Sequence, residues 1–248
     1  MTKAIEVRRI RVEFPSPSGS VVAVRDVSMS IAPSEFVCIL GPSGCGKTTI
    51  LNCLAGFIEP TSGDIFIDAR PVSARGIDRG VVFQDLSQLF PWRTAQRNVE
   101  YGLEVRKVPA AQRRARAAEL LRLVKLEKFA SAYPHELSGG MQQRVAIARA
   151  LAYDPGVLLM DEPFAALDAM TRDTLQHQLT DIWSATKKTI VYITHNVGEA
   201  VFLGDQIMIM GEQGTVKTNL RNEIYRPRDP LSSEFVELQR EVLSHLTH

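Results

Sequence analysis

The chain has 248 residues, and its 29 lysines and arginines against 28 aspartates and glutamates leave a formal net charge of +1, which gives no global pull toward nucleic acid or anionic lipid. With 45% hydrophobic and 23% charged residues the composition is globular rather than disordered, and no apolar run approaches the length of a membrane span. The N-terminus has no secretory-signal pattern, and three cysteines within one short stretch (Cys38, Cys45, Cys53) argue against a disulfide framework and for a reducing compartment.

Residues 5–14 (IEVRRIRVEF) alternate apolar and polar, which predicts a half-exposed antiparallel strand, and PSPSGS at 15–20 reads as a turn-forming loop. Residues 37–40 form a short, wholly apolar run, a buried strand. A glycine-rich segment, GPSGCGKTT at 41–49, follows, and a helix-forming run over 50–55 comes after it. The Ala/Arg/Leu-rich stretch 110–129 places apolar residues about one helical turn apart (Leu120, Leu121, Val124) and predicts an amphipathic helix. Pro134 interrupts before a second helical stretch over 141–152. Buried strands recur at 157–160, 189–193 and 207–210, and a proline-containing linker at 226–230 leads to a last amphipathic helix over 232–246. Short apolar strands alternating with helices indicate an α/β fold with a largely parallel sheet, into which a helical segment is inserted between two groups of strands. The basic residues Arg106, Lys107, Arg113, Arg114, Arg116, Arg122 and Lys125 read as the solvated face of a helix; contact with acidic loops or lipid headgroups is the alternative.

Three segments carry chemistry. The first spaces Gly41, Gly46, Lys47 and Thr48 as G-x-x-x-x-G-K-S/T, between a buried strand and a helix start. Glycines let the backbone curl so that successive N–H groups face phosphate oxygens, and the helix N-terminus adds its positive end. Lys47 supplies a charge for the β- and γ-phosphates and Thr48 a hydroxyl for Mg²⁺, with Pro42, Ser43, Gly44, Cys45 and Thr49 completing the cradle. An incidental glycine turn is the alternative, and the flanking strand and helix argue against it. Cys45, at a helix start beside Lys47, is expected to favour its thiolate, so that alkylation blocks nucleotide binding and ATP protects. The second segment ends an apolar strand in Asp161-Glu162-Pro163: Asp161 can hold Mg²⁺ and Glu162 can polarise a water for in-line attack on a γ-phosphate. The third is LSGGMQQR at 137–144, where Ser138 reads as a helix cap and Gly139 and Gly140 open a close approach, a second anion-facing helix start. Standing alone it would be an ordinary capped helix.

Lys47 in its loop, the Ser138-Gly139-Gly140 segment and the Asp161-Glu162 strand end occur in the order and spacing of ABC transporter ATPase subunits, and the resemblance covers nearly the whole chain. Gln84 is similar to that family's Q-loop glutamine, Asp168 in ALD at 166–168 to its D-loop, and His195 to its switch histidine. Phe14 lies near where the family stacks an aromatic on adenine; a core position is the other reading of it. LFPW at 89–92, Asn98, Gly102, the segment 163–168 with Thr171-Arg172, and EAVF at 199–202 resemble the nitrate/sulfonate/taurine importer ATPases. Ala165, Asn196 and Gly198 depart from that subgroup and bear on the solute rather than on the phosphate chemistry.

The resemblance implies a P-loop NTPase (RecA-like) core over residues 1–85 and 155–215 with an antiparallel β subdomain. It further implies an inserted α-helical subdomain over 86–154 and a C-terminal helical extension over 216–248. Glu162, His195 and Gln84 are the implied catalytic residues; Thr48, Gln84 and Asp161 the Mg²⁺ residues. Ser138, Gly139, Gly140 and Gln142 would meet ATP held by Lys47 of a second copy, in a head-to-tail homodimer. The expected partners are a membrane permease, contacted through the 89–92 patch, and indirectly a periplasmic or extracellular solute-binding protein. The expected location is peripheral, on the cytoplasmic face of the inner membrane. A soluble ABC ATPase, the ATPase of a separate-subunit exporter and an unrelated phosphate-loop enzyme are the competing readings.

Overall fold

The structure, a computed structural model, describes residues 2–17, 19–72 and 76–247. In chain order the strands and helices are β1 (Ile5–Ser16), β2 (Gly19–Ile31), β3 (Phe36–Leu40), α1 (Lys47–Ala55), β4 (Ser62–Ile67), β5 (Arg70–Pro71) and β6 (Arg79–Val82). Then come α2 (Ala95–Val105), α3 (Ala110–Leu123), α4 (Gly139–Leu151), β7 (Val157–Asp161), α5 (Ala169–Thr186) and β8 (Thr189–Thr194). The chain closes with α6 (Val197–Leu203), β9 (Gln206–Met210), β10 (Val216–Arg221) and α7 (Ser233–Thr247). It divides into two compact units, Met1–Gly76 with Lys188–His248, and Ile77–Lys187. The α/β class expected from the sequence is what the elements form.

In the first unit β2, β1, β4 and β5 make an antiparallel sheet in that order. Strand β1 buries Ile5, Val7, Ile10 and Val12. Its alternation slips between Val7 and Ile10, where Arg9 takes a positive φ of 48° and its N–H donates to Ser28 Oγ at 2.9 Å. That bulge resets the register so that Ile10 and Val12 again point inward. The loop expected over 15–20 is tighter than the sequence suggests: Pro15 pairs with Ser20 and Ser16 with Gly19. Arg11 is the last residue of β1 in register with β4, so Pro15 needs no N–H for that ladder. Ser18 of that loop lies outside the described residues.

The unit's second sheet orders β10, β9, β3 and β8, with β9, β3 and β8 parallel and β10 antiparallel on the end. Every residue of β3, β8 and β9 is buried, which explains the apolar runs 36–40, 190–193 and 207–210 within them. Helix α1 buries Ile50, Leu51 and Leu54, each contributing about 1.5–3 kcal/mol. The segment before α7 is anchored by Arg228, whose guanidinium donates to the carbonyls of Val201 and Phe202 at the end of α6 and to that of Ile224 in its own segment. Burial pulls its pKa down to about 10.

In the second unit β6 and β7 pair in parallel, with α2, α3 and α4 between them in sequence and α5 after them. Helix α3 stops at Leu123 instead of reaching 129. Lys125 turns left-handed at φ 56°, and Leu126 N–H closes on Leu121 O at 2.7 Å, so buried Val124 and Leu126 fold back under the helix. Helix α4 begins at Gly139, two residues before the expected start, because Ser138 caps it by accepting from Met141 N–H.

Candidate functional site

The first unit carries the glycine-rich loop where β3 passes into α1. Gly44 and Gly46 take φ of 78° and 95°, and Gly46 is the residue from which α1 departs. A side chain at Gly46 would put its Cβ 2.4 Å from the Ala23 carbonyl of β2, so only glycine fits there. Gly41 is pressed in the same way against Met210 O and Cys45 Sγ, both 2.9 Å from where its Cβ would be. Pro42, Ser43 and Gly44 are exposed at the crest, Thr48 is exposed at the helix start and Thr49 is half-buried. Lys47 is buried, and its ammonium donates to Gly41 O at 2.8 Å and Pro42 O at 2.9 Å. The charge is therefore held inside the curl of the loop, ahead of the first turn of α1, where an anion is favoured by both the ammonium and the helix.

His195 is exposed immediately after β8. Strands β3 and β8 run parallel with Leu40 opposite Thr194, so Gly41 and His195 leave the sheet side by side at its carboxyl edge. That edge is where open α/β sheets bind ligands. Phe14 is not a core residue: it is 39% exposed and pairs with Val21, two positions along β2 from Ala23, which backs Gly46.

The second unit carries the other residues expected from the sequence, Gln84, Ser138, Asp161 and Glu162. Val82 of β6 lies opposite Met160 of β7, so Gln84 and the pair Asp161-Glu162 emerge at a common strand edge. Gln84 is exposed, Asp161 and Glu162 are half-buried, and Glu162 sits at φ 41°. A left-handed non-glycine residue costs about 1 kcal/mol or more, a strain that is concentrated at functional turns. Asp168 caps α5 by accepting from Thr171 N–H at 3.0 Å, and this backbone hydrogen bond holds its carboxyl below the usual range.

Ser138, Gly139 and Gly140 form the start of α4. A Cβ on Gly140 would lie 2.9 Å from Thr171 Cγ2, so this glycine permits α5 to approach. Ser138, Gly140, Met141, Met170, Thr171 and Gln178 line a cavity of about 240 Å³ beside that helix start. The Gln142 amide donates to Pro134 O and Leu137 O at 3.0 and 3.1 Å, so its nitrogen holds the preceding loop against the helix.

Sequence reasoning passed over two braces in this unit. Gln88 Nε2 donates to Phe83 O at 2.9 Å, and Phe83 N–H donates to Gln88 Oε1 at 3.2 Å, which clamps the turn that bears Gln84. Fully buried Gln143 of α4 reaches the same carbonyl at 3.4 Å, and Arg149 donates to Gln88 O at 2.7 Å. The helix that begins at Ser138 thus reaches directly to the Gln84 turn. The second brace is Asn98, fully buried: its Nδ2 donates to the carbonyls of Phe90, Arg93 and Thr94, and its Oδ1 accepts from Phe90 N–H. It shapes the 89–92 loop, from which Trp92 projects 71% exposed while Leu89 is buried. In the sequence Asn98 stands out only through the importer resemblance and Gln143 only as a member of the 137–144 segment.

One expectation is overturned. Cys45 is only 3% exposed, and burial pushes its thiol up despite the nearby Lys47 charge. Desolvation outweighs the helix start, so the thiolate is disfavoured.

Comparison with known proteins follows this geometry. The family model described as ABC transporter matches residues 24–165. An uncharacterized ABC transporter ATP-binding protein of Methanocaldococcus jannaschii is 44% identical over 247 residues, 99% of this chain and 92% of that protein. A taurine import ATP-binding protein of Rhizobium johnstonii is 51% identical over 207 residues, covering 83% and 79% of the two chains. Among solved structures, a dimeric ATP-binding cassette in a post-hydrolysis state with ADP and Pi superposes with a TM-score of 0.77 at 34% identity, over 89% of this chain and 100% of that one.

Proposed function

This chain belongs to the ABC transporter family, and from that premise we propose that it is the ATP-hydrolysing, nucleotide-binding subunit of an importer for a small solute of the nitrate/sulfonate/taurine type. The observation that carries the nucleotide role is the loop holding the Lys47 ammonium at the head of α1, with His195 on the adjacent strand end. In this reading the loop N–H groups and Lys47 bind the β- and γ-phosphates of ATP, and Phe14 stacks on the base. Glu162 accepts a hydrogen bond from the attacking water and takes up its proton, while His195 donates to the γ-phosphate oxygens. The products are ADP and inorganic phosphate.

Thr48, Gln84 and Asp161 offer only oxygen donors, and among the described residues no group of three or more His, Cys, Asp or Glu side chains could hold a metal. That donor set suits Mg²⁺, which keeps most of its coordination for phosphate and water. When bound, Mg²⁺ would neutralise phosphate charge. Gln84 would sense it at a turn clamped by Gln88 and Gln143.

The dimeric solved relative supports a two-fold pair in which Ser138, Gly139 and Gly140 of a second copy close over ATP held by Lys47. The proposed division of labour assigns nucleotide chemistry to residues 1–85 and 155–215 and transmission to the helical stretch 86–154. The 216–248 extension is the remaining part. The exposed Trp92 loop would receive a cytoplasmic helix of a separate permease, to which an extracytoplasmic binding protein delivers solute. The subunit would sit on the cytoplasmic face of the membrane; no helix among the described residues is long and apolar enough to cross it.

The test is a pair of variants. Lys47→Ala should weaken ATP binding about 10- to 100-fold, the worth of a charge-assisted hydrogen bond of about 1.5–3 kcal/mol. Glu162→Gln should bind ATP, lose nearly all turnover and accumulate as a dimer in sedimentation velocity. A Glu162→Gln protein hydrolysing ATP at the parental rate would remove Glu162 from its role. Recovery of a permease with the detergent-solubilised protein, and ATP-dependent uptake of labelled taurine or sulfonate by the reconstituted complex, test the importer assignment.

A further inference from the structure

A buried carboxylate lies under the turn that carries His195, and the site described above does not use it. Glu199, in the first turns of α6, is only 5% exposed. Its Oε2 accepts from Thr194 Oγ1 at 2.5 Å and from Tyr192 OH at 3.3 Å, both buried. Thr194 Oγ1 in turn accepts from Asn196 N–H at 3.0 Å, and Asn196 Oδ1 accepts from Glu199 N–H at 3.1 Å. These bonds close a ring: Glu199 to Thr194, Thr194 to Asn196, Asn196 back to Glu199. The one residue between the tethered neighbours is His195.

We propose that Glu199, acting through Thr194, is a positioning residue that fixes the backbone on both sides of His195 and so aims the imidazole. A buried carboxyl group is costly unless it is hydrogen-bonded, and its donors here are the Thr194 and Tyr192 hydroxyls. A simple cap for α6 requires no such group, because Asn196 already caps that helix. What the carboxylate adds is direction. It polarises the Thr194 hydroxyl so that its proton points to Oε2 and its lone pairs face Asn196 N–H, leaving the turn one geometry. The inference rests on the assignment of His195 to the γ-phosphate and adds to it the residue that holds it there.

The experiment compares Thr194→Val, which keeps shape and removes the hydroxyl, with Thr194→Ser, which keeps the hydroxyl, each alone and combined with His195→Ala. Thr194→Val should lower kcat about 10- to 100-fold with ATP affinity near the parental value, as expected for misaiming by a fraction of an ångström to an ångström; its unfolding midpoint falls as well, because the buried Glu199 loses its nearest donor. Thr194→Ser, which keeps the hydroxyl, and Glu199→Gln, which keeps an acceptor oxygen, should each hold most of the parental rate, whereas Glu199→Leu, which keeps no acceptor, should lose about as much as Thr194→Val. In the His195→Ala background Thr194→Val should cost no more than about twofold further, since its effect passes through the missing ring. The His195 Cε1–H NMR signal should be single and sharp in the parent and in Thr194→Ser, and shifted or split in Thr194→Val. Parental kcat with an unchanged His195 signal in Thr194→Val, or a loss that adds in full to that of His195→Ala, overturns the inference. Full activity in His195→Ala alone overturns the underlying assignment, and the inference with it.

Discussion

Two loop glycines share a backbone conformation and differ in what surrounds them, which allows the cost of each to be separated. Gly44 has φ 78° and nothing within 4 Å of where a Cβ would stand, whereas Gly46 has φ 95° and the Ala23 carbonyl 2.4 Å away. Gly44→Ala meets only the left-handed penalty of about 1–2 kcal/mol, offset by about 0.4–1 kcal/mol from the stiffer unfolded chain, a net loss near 1 kcal/mol. Gly46→Ala carries the same net loss plus an overpacking cost of about 1–3 kcal/mol, because the obstructing atom is backbone and cannot rotate away. The expected losses are about 1 and about 3 kcal/mol, or Tm shifts of roughly 2–4 °C and 6–12 °C for a chain of this size. Urea unfolding gives the energies and titration with a fluorescent ATP analogue gives the affinities. Gly46→Ala should also bind nucleotide less well than Gly44→Ala, since relief of the clash moves the start of α1 and with it Lys47. Equal destabilisation by the two substitutions would refute the claim that β2 backs the loop closely enough to dictate its residue.

Burial of Cys45 predicts slow alkylation at neutral pH, with a rate that rises only as pH climbs past the range of a free thiol; labelling at the speed of free cysteine at pH 7 would contradict this. The same sign governs stability: burial favours the neutral thiol, so this contribution is present below the unfolded thiol pKa. It is lost as pH rises through the folded value, which for Cys53 is pushed up to about 12. Asn98→Ala should cost about 2–4 kcal/mol, since it strips partners from Phe90 N–H and three carbonyls, and should expose the chain near Arg93 to trypsin. An unchanged urea midpoint and unchanged cleavage would show that the 89–94 loop holds its shape without it.

The local chemistry was legible because it depends on short spacings. Gly41, Gly46, Lys47 and Thr48 between an apolar run and a helix have the spacing of a phosphate loop, and Asp161 at a strand end or Ser138 at a helix start follows from period and capping alone. Short apolar runs likewise declared a sheet covered on both faces, and the structure buries every residue of β3, β8 and β9. Contacts distant in sequence were not legible. Nothing in residues 41–49 announces that Ala23 stands 2.4 Å from a Cβ at Gly46, or that the Cys45 thiol is sealed from water, because desolvation depends on every atom packed nearby. Gln143 reads as an ordinary polar residue of a helix and Glu199 only as part of the 199–202 resemblance, and packing buries them against Phe83 O and Thr194 Oγ1. Residue order alone declares which groups are present and places the short-range motifs on their strand ends and helix starts, while the helices carrying Asn98 and Glu199 emerge only on folding. The tertiary structure alone decided which are dry, which are aimed and which are locked, since those properties belong to the neighbours that folding brings together.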